Sequence, residues 1–376
     1  MRRIIAFMMG VMLVFGCAEG LAAQDTDSSA TKWNPSKQKY QTAVSDSSDD
    51  ETEDSSSSEG ETEEQVNESD EGPSVTPASN ATVPGGKGAF PALNAQGFYD
   101  DGEFIYEDPE NGIWRYASST LKVEIIRKTQ SKPKLIWYEA EIWSTEDNVF
   151  RMIPDDPNKR MTSLEWPYKI AQKNGTVFAL NSDYAHLRYK KKNNKVGILV
   201  RDGNVIWDRT MPKNKGGFPN LDTLALFPDG DMQVYYSNEL KAKEYVDMGA
   251  VDVLAFGPWL IRDGKLNAAG VKKYGPSWAP RTAIGMFEKG HYLGILIEGR
   301  HSGSKGASVE MIAKLMQQRG VQVAFNLDGG QTATILFMGK QICKIGGSVG
   351  RNASARRTAE ILGIGESGQV QEAGIK

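Results

Sequence analysis

Three short segments each place a carboxylate two residues from another polar side chain. They are Asn181 and Asp183 in 176–183, Glu298 and Arg300 in 292–300, and Asn326 and Asp328 in 321–328. A spacing of two is the period of an extended strand, whose alternate side chains share a face. The opposite parity of the second segment is Leu293, Ile295 and Ile297, and that of the third is Val321, Val323, Phe325 and Leu327. The expectation is a set of strands that each bury one side and deliver a carboxylate from the other, near the C-terminal end. If the ends converge, they form a polar pocket in which carboxylates act as nucleophile, acid or base. A guanidinium in the same pocket suits phosphate, which it grips through two parallel hydrogen bonds.

The loops after these segments fit a ligand site. Gly329 and Gly330 follow Asp328; they tolerate positive φ and let a ligand approach the backbone. Thr332 and Thr334 then add hydroxyls. The run Ser302-Gly303-Ser304-Lys305-Gly306 leads toward Ser308, and its amides, with Arg300 and Lys305, suit an anion. Plainer readings stand beside these. Asp-Gly-Gly is more often a turn than a catalytic loop, and Glu298 can simply pair with Arg300 or Arg281. His186 and His291 read as surface residues, while His301, next to Arg300, is the better site candidate. Trp259 and Trp278 read more readily as core than as sugar platforms.

The elements that must position these groups are mostly strands. Alternation in Leu121–Ile125 and Trp137–Trp143 predicts antiparallel strands, and Asp202-Gly203, Asp229-Gly230 and Asp263-Gly264 predict hairpin turns. Val309, Ile312, Ala313 and Met316 share a helical face, with Ser308 as N-cap and Gly320 as the stop. A second helix is expected within Asn238–Met248. The fold class is therefore α+β: mixed or antiparallel sheets with a few packed helices, in a single catalytic domain.

Composition divides the chain. Residues 1–88 hold 16 Asp/Glu against 6 Lys/Arg, leaving 38 basic and 32 acidic residues for 89–376. The mild positive balance suits an anionic substrate and equally an ordinary solvated surface. Arg2-Arg3 and the apolar run Ile4–Phe15 read as an export signal within residues 1–23, too short to span a membrane comfortably. Two processing readings compete: a lipoprotein-type site at Cys17, and ordinary cleavage after Leu21-Ala22-Ala23. Residues 24–88 form an acidic Ser/Glu-rich linker, with 13 Asp/Glu between Asp46 and Glu71, whose composition predicts disorder. Residues 89–174 read as an N-terminal extension or subdomain, and 175–376 as the functional domain. The expected location is extracytoplasmic, secreted or tethered at the cell surface, with membrane attachment only through a lipid on Cys17. Cys17 and Cys343 allow no disulfide framework in the mature domain, and no Cys/His spacing suits zinc. The basic run Arg188–Lys195 lacks interleaved aromatics, so no nucleic-acid partner is expected.

Taken together, the motifs resemble the phosphodiester glycosidase family, which includes N-acetylglucosamine-1-phosphodiester alpha-N-acetylglucosaminidase. The resemblance rests on Ala179-Leu-Asn-Ser-Asp-Tyr184, Phe256-Gly-Pro-Trp-Leu-Ile-Arg-Asp-Gly-Lys265 and Pro280-Arg-Thr-Ala-Ile-Gly285. It continues through Glu298-Gly-Arg-His-Ser-Gly-Ser-Lys-Gly306, Asn326-Leu-Asp-Gly-Gly330 and Arg356-Arg357-Thr-Ala-Glu-Ile-Leu362, in the family's order. It implies hydrolysis of the bond between a sugar's anomeric carbon and a phosphodiester oxygen. Asp328 is then the leading nucleophile or base, with Glu298 as acid/base or as an orienter of Arg300. Arg281 and Arg300 fall to the phosphate. Asn181, Asp183 and Thr332 fall to sugar hydroxyls or an acetamido group, with His301, Ser304, Gly329 and Gly330 lining the site. No cofactor is expected; a divalent cation between Asp183 and Asp328 is the alternative use of those oxygens. The partner is a carbohydrate phosphodiester, and no oligomeric state follows. Gln331 and Ala333 depart from the family's Gly and Ser, Ser182 replaces a common Gly, and Glu298 a common Asp. Those departures keep open a non-catalytic surface module that binds anionic glycans, and a third reading is a phosphodiesterase for another small diester.

Overall fold

A computed structural model describes residues 88–159, 161, 163–183, 197–209, 221–345 and 356–373. The export signal with Cys17, the acidic linker up to residue 87, His186 and the basic run lie outside the described residues. Nine strands form the largest sheet, in the order β1 (Phe104–Asp108), β2 (Ile113–Ala117), β3 (Leu121–Ser131), β4 (Lys134–Ser144), β15 (His291–Ile297), β14 (Arg281–Glu288), β16 (Val323–Leu327), β12 (Trp259–Arg262) and β13 (Lys265–Leu266). A five-stranded sheet runs β10 (Met232–Tyr235), β9 (Asp222–Leu226), β11 (Asp252–Phe256), β7 (Gly197–Arg201) and β8 (Asn204–Arg209). A second runs β18 (Lys340–Gln341), β17 (Ile335–Phe337), β6 (Thr176–Asn181), β19 (Glu360–Glu366) and β5 (Arg151–Pro154). Pairing within each sheet is antiparallel. The helices are short: α1 (Pro167–Lys173), α2 (Ala242–Asp247), α3 (Ala268–Lys272), α4 (Val309–Arg319) and α5 (Gly368–Ala373). The fold is the expected α+β class with antiparallel sheets.

The local signals act as their chemistry requires. Asp202-Gly203 and Asp263-Gly264 join β7 to β8 and β12 to β13, with all four residues at positive φ, the turn that matches strand twist. Ser308 Oγ accepts from Met311 N–H at 3.1 Å, and Gly320 closes α4 at φ 83°. The helix expected over Asn238–Met248 begins only at Ala242, because the Glu244 carboxylate takes the Lys241 N–H.

One expectation is corrected. The strands carrying the polar pairs bury both faces. In β15, Tyr292 and Leu296 enter a core shared with the two smaller sheets, through Leu224, Leu254, Phe178 and Ile335. Leu293, Ile295 and Ile297 enter a second core under α4, with Val309, Ile312, Ala313 and Met316. A sheet covered on both sides leaves no open face, so polar groups reach a site only where strands end. Residues 104–144 belong to the same sheet: β4 pairs with β15 from Trp137 opposite Ile297 to Trp143 opposite His291.

Three buried charged groups tie the sheets together. Arg201 and Glu360 are almost fully buried and form a two-pronged ion pair, with Arg201 Nε 2.7 Å from Glu360 Oε2. Burial alone would lower the Arg201 pKa, but Glu360, Asp252 and Asp183 outweigh it and hold the guanidinium charged. Asp222, at the start of β9, accepts the N–H groups of Ser237 and Trp259, each at 3.2 Å. Burial pushes its pKa up to about 6, against the opposing pull of those hydrogen bonds, Arg262 and Lys273. The folded state thus holds this proton more tightly than the unfolded chain. The cost of the buried charge is absent well below pH 3.8, the ordinary value, grows as pH rises from there toward 6 and is complete above it. Relative to Asp222→Asn, the wild type should lose up to ~3 kcal/mol of stability between pH 4 and 7, as measured by urea denaturation. Parallel pH profiles for the two proteins would contradict this.

Candidate functional site

β14 starts at Arg281, between two strands that end beside it. Arg281 lies opposite Ile297 of β15, and Thr282 opposite Leu327 of β16. Antiparallel pairing therefore sets Arg281 next to both C-terminal ends, where Glu298 and Asp328 follow. β6 delivers its end to the same loop, since Asn181 Nδ2 donates to the Asp328 carbonyl at 2.7 Å.

The loop after Asp328 folds back on the start of β14. Gly330 N–H donates to the Pro280 carbonyl at 2.9 Å, and Gly330 has φ 64°. A Cβ at Gly329 would stand 2.7 Å from the Pro280 oxygen and 3.7 Å from Arg281 Nη1. A Cβ at Gly330 would meet Arg300 Nη1 at 3.1 Å. The two glycines are thus flanked by two guanidinium groups. Arg300 is exposed and sits at φ 61°, unusual for a residue with a side chain.

Arg281 is buried. Its Nε donates to the Ala307 carbonyl at 3.0 Å, and its Nη2 to the Ser277 carbonyl at 2.9 Å and hydroxyl at 3.2 Å. Burial first, and then Arg300, pull its pKa down to about 10, while Tyr274 and Asp328 act the other way. An arriving anion relieves that penalty, so the Arg281–Arg300 pair suits phosphate.

Glu298 forms a separate network. It is 2% exposed. Its Oε1 accepts from Tyr138 Oη at 3.0 Å and from Lys344 N–H at 2.7 Å, and its Oε2 faces His301 Nε2 at 3.0 Å. Gly303 N–H donates to His301 Nδ1 at 3.2 Å, which leaves the Nε2 proton for Glu298. Burial, with the Glu298 charge adding to it, pushes the Tyr138 hydroxyl pKa well up, so Tyr138 stays a donor. The Cys343 thiol is pushed up to about 12 by burial. Glu298 thus pairs with neither Arg300 nor Arg281; it fixes the turn at 301–304 and the backbone at Lys344, beyond β18.

Other expected site residues also spend their polar atoms on the frame. Asn181 Oδ1 accepts from Thr334 N–H at 3.0 Å, so its amide bridges two points of the loop instead of facing solvent. Ser304 is fully buried; its Oγ donates to the Glu298 carbonyl at 2.6 Å and accepts from Ile136 N–H at 3.1 Å. Asp183 is buried and lies within electrostatic reach of Arg201. Asp328 N–H approaches the Ser182 carbonyl at 3.5 Å, which sets Asp328 close to the end of β6. Thr332 Oγ1 accepts from Arg356 Nη1 at 3.2 Å. Among the described residues no three His, Cys, Asp or Glu side chains cluster as metal ligands. Ala333 packs into the apolar core, so the hydroxyl missing there would have pointed away from the loop's polar side. Trp259 is core, as expected, but Trp278 is 45% exposed.

Comparison with known proteins meets this geometry. Residues 174–364 match the phosphodiester glycosidase family. The chain belongs to that family. It is 28% identical over 196 residues to the SPbeta prophage-derived uncharacterized protein YomE of Bacillus subtilis, covering 50% of this chain and 29% of that one. It is 26% identical over 151 residues to the N-acetylglucosamine-1-phosphodiester alpha-N-acetylglucosaminidase of Mus musculus, covering 36% of this chain and 29% of the relative. The chain thus spans under a third of the length of these curated relatives. The zebrafish enzyme's catalytic domain, auto-inhibited by its pro-peptide, shares the fold: TM-score 0.51 at 18% identity, over 66% of this chain and 85% of that one.

Two site residues escaped the sequence reading. Arg356 was visible within the family's closing motif but carried no role until its contact with Thr332. Tyr138 sits in a strand with no motif, and only sheet pairing brings it to Glu298. The contact at Gly329 gives a test. Its φ of −113° suits any residue, so the obstacle to Gly329→Ala is the Pro280 carbonyl alone. The variant should lose about 1–3 kcal/mol in urea denaturation through overpacking, and hydrolase turnover should fall about 100-fold as the loop shifts. Wild-type turnover in a stable variant would show that the close approach is dispensable.

Proposed function

We propose that this domain is a phosphodiester glycosidase that hydrolyses the sugar–phosphate bond of a glycosyl phosphodiester of the N-acetylglucosamine-1-phosphodiester kind. The observation that carries this is the buried Arg281 beside Arg300, both against Gly329-Gly330 and next to Asp328. Two guanidinium groups hold the phosphate, and the adjacent carboxylate attacks the anomeric carbon or activates water against it. The leaving group is a phosphate monoester, which is acidic and needs little protonation. The demand falls on the oxocarbenium-like sugar and on the phosphate charge, and a carboxylate beside paired arginines meets both.

Asp328 is the nucleophile or base. Glu298 is a positioning residue, because Tyr138, Lys344 N–H and His301 occupy its carboxylate. Asn181 positions the Asp328 loop in the same way. Asp183, Thr332 and Arg356 line the sugar side. The burial of Ala333 removes one argument for a non-catalytic glycan-binding module, since the departure falls in the core. The N-terminal charge and apolar run support export of the domain, secreted or tethered through Cys17, with the acidic segment as spacer. No helix among the described residues is long and apolar enough to cross a membrane.

Incubation of the full chain with N-acetylglucosamine-1-phosphate diesters should release free reducing sugar and a phosphomonoester. Asp328→Asn should lower that rate by roughly 10²–10⁴-fold with the urea denaturation midpoint unchanged. Substrate binding without release by the wild type would favour the binding module, and full activity of Asp328→Asn would remove Asp328 from the chemistry.

A further inference from the structure

Glu298 stands where the family commonly has aspartate, and its longer side chain ends on Tyr138. Tyr138 lies in β4, outside the residues 174–364 that match the family. Its ring is buried and packs on Trp114 with centroids 5.8 Å apart. Its hydroxyl lies 3.0 Å from Glu298 Oε1 and 3.0 Å from the Ile342 carbonyl, so one proton serves two acceptors. Lys344 N–H completes the triangle at 2.7 Å from the same carboxylate oxygen. A carboxylate one methylene shorter would draw back by about 1.5 Å, one carbon–carbon bond, and lose both contacts.

The start of β4 also grips both ends of the turn that carries Arg300. The Ile136 carbonyl accepts from Glu298 N–H at 2.9 Å, and the Lys134 carbonyl from Lys305 N–H at 3.0 Å. Ile136 N–H donates to Ser304 Oγ at 3.1 Å. Across the turn, Arg300 N–H donates to the Lys305 carbonyl at 3.3 Å. With its ends tied to β4, the turn is braced from within by Glu298, whose Oε2 meets His301. We propose that Tyr138 and Glu298 are a matched pair of positioning residues. A strand outside the family match brings the hydroxyl that the longer carboxylate needs, and together they set the Arg300 turn against Gly330 of the Asp328 loop. This rests on the reading of Arg300 as a phosphate ligand of a glycosyl phosphodiester hydrolase. It follows that Glu298→Asp, which restores the family's common residue, is a loss in this chain.

The test compares the full chain with Tyr138→Phe, Glu298→Asp and the double variant. Three quantities are measured: kcat and KM on the methyl diester of N-acetylglucosamine-1-phosphate, the Kd for inorganic phosphate, and amide hydrogen exchange across residues 299–305. Each single variant should raise KM and the phosphate Kd about tenfold and lower kcat by about threefold or less. Exchange in the turn should quicken about tenfold, with β9 and β10 unchanged. The double variant should lose about twofold or less beyond the worse single, because either change alone already breaks the pair. If the wild type cleaves the diester but the single variants match it in KM, phosphate Kd and exchange, the pair is overturned while the glycosidase reading stands. Losses that multiply in the double variant overturn it as well. If the wild type neither cleaves the diester nor binds phosphate, the glycosidase reading falls, and exchange in the turn alone decides the pair.

Discussion

Arg281 begins β14 directly opposite Ile297 of β15, and its neighbour Thr282 lies opposite Leu327 of β16. The rest of the site depends on this register. Antiparallel pairing turns one strand's beginning and two strands' ends to the same edge, which brings Arg281, Glu298 and Asp328 together without any long loop. A slip of one residue would exchange the two faces of β14 and send Arg281 toward the opposite core. The pairing of Gly330 N–H with the Pro280 carbonyl then carries the register beyond the strand, and the missing side chain at Gly329 lets the Asp328 loop lie against it.

Around that edge the fold spends polar groups on holding other polar groups. Asn181 clasps the loop at Asp328 and Thr334. Ser182 Oγ donates to the Glu360 carbonyl at 3.1 Å, and Glu360 in turn holds Arg201, which reaches Asp183 electrostatically. Glu298 gathers Tyr138 from β4, the turn at His301 and the backbone of Lys344. Each buried group with hydrogen bonds of this kind costs far less than an orphan would, and each removes a way for the loop to move. Arg281 stands apart: burial and a second guanidinium work against its charge, the state an anionic substrate corrects.

Much of this was legible in the chain. Strand ends bearing Asp328, Glu298 and Asn181, the hairpin turns and the capped α4 follow from period, glycine and capping chemistry, all of them local. The distribution of roles was not. Asn181 and Ser304 have the residue types of ligand contacts, yet tertiary packing turns them onto backbone groups that no local pattern reveals. Glu298 looked like a partner for Arg300 because they are two residues apart. The chain turns at the positive φ of Arg300, and Glu298 meets Tyr138 from a strand 160 residues earlier. Trp278 read as core because tryptophan usually is, yet it is 45% exposed, and its local sequence carries no sign of that.

The central claim concerns which bond breaks. A carboxylate aimed at the sugar with arginines on the phosphate cleaves carbon–oxygen; a phosphodiesterase of another kind cleaves phosphorus–oxygen. Hydrolysis of a glycosyl phosphodiester by the full chain in ¹⁸O-labelled water, followed by mass analysis of both products, separates them. The account predicts the label in the anomeric hydroxyl of the released sugar and none in the phosphomonoester. Label in the phosphomonoester would contradict it.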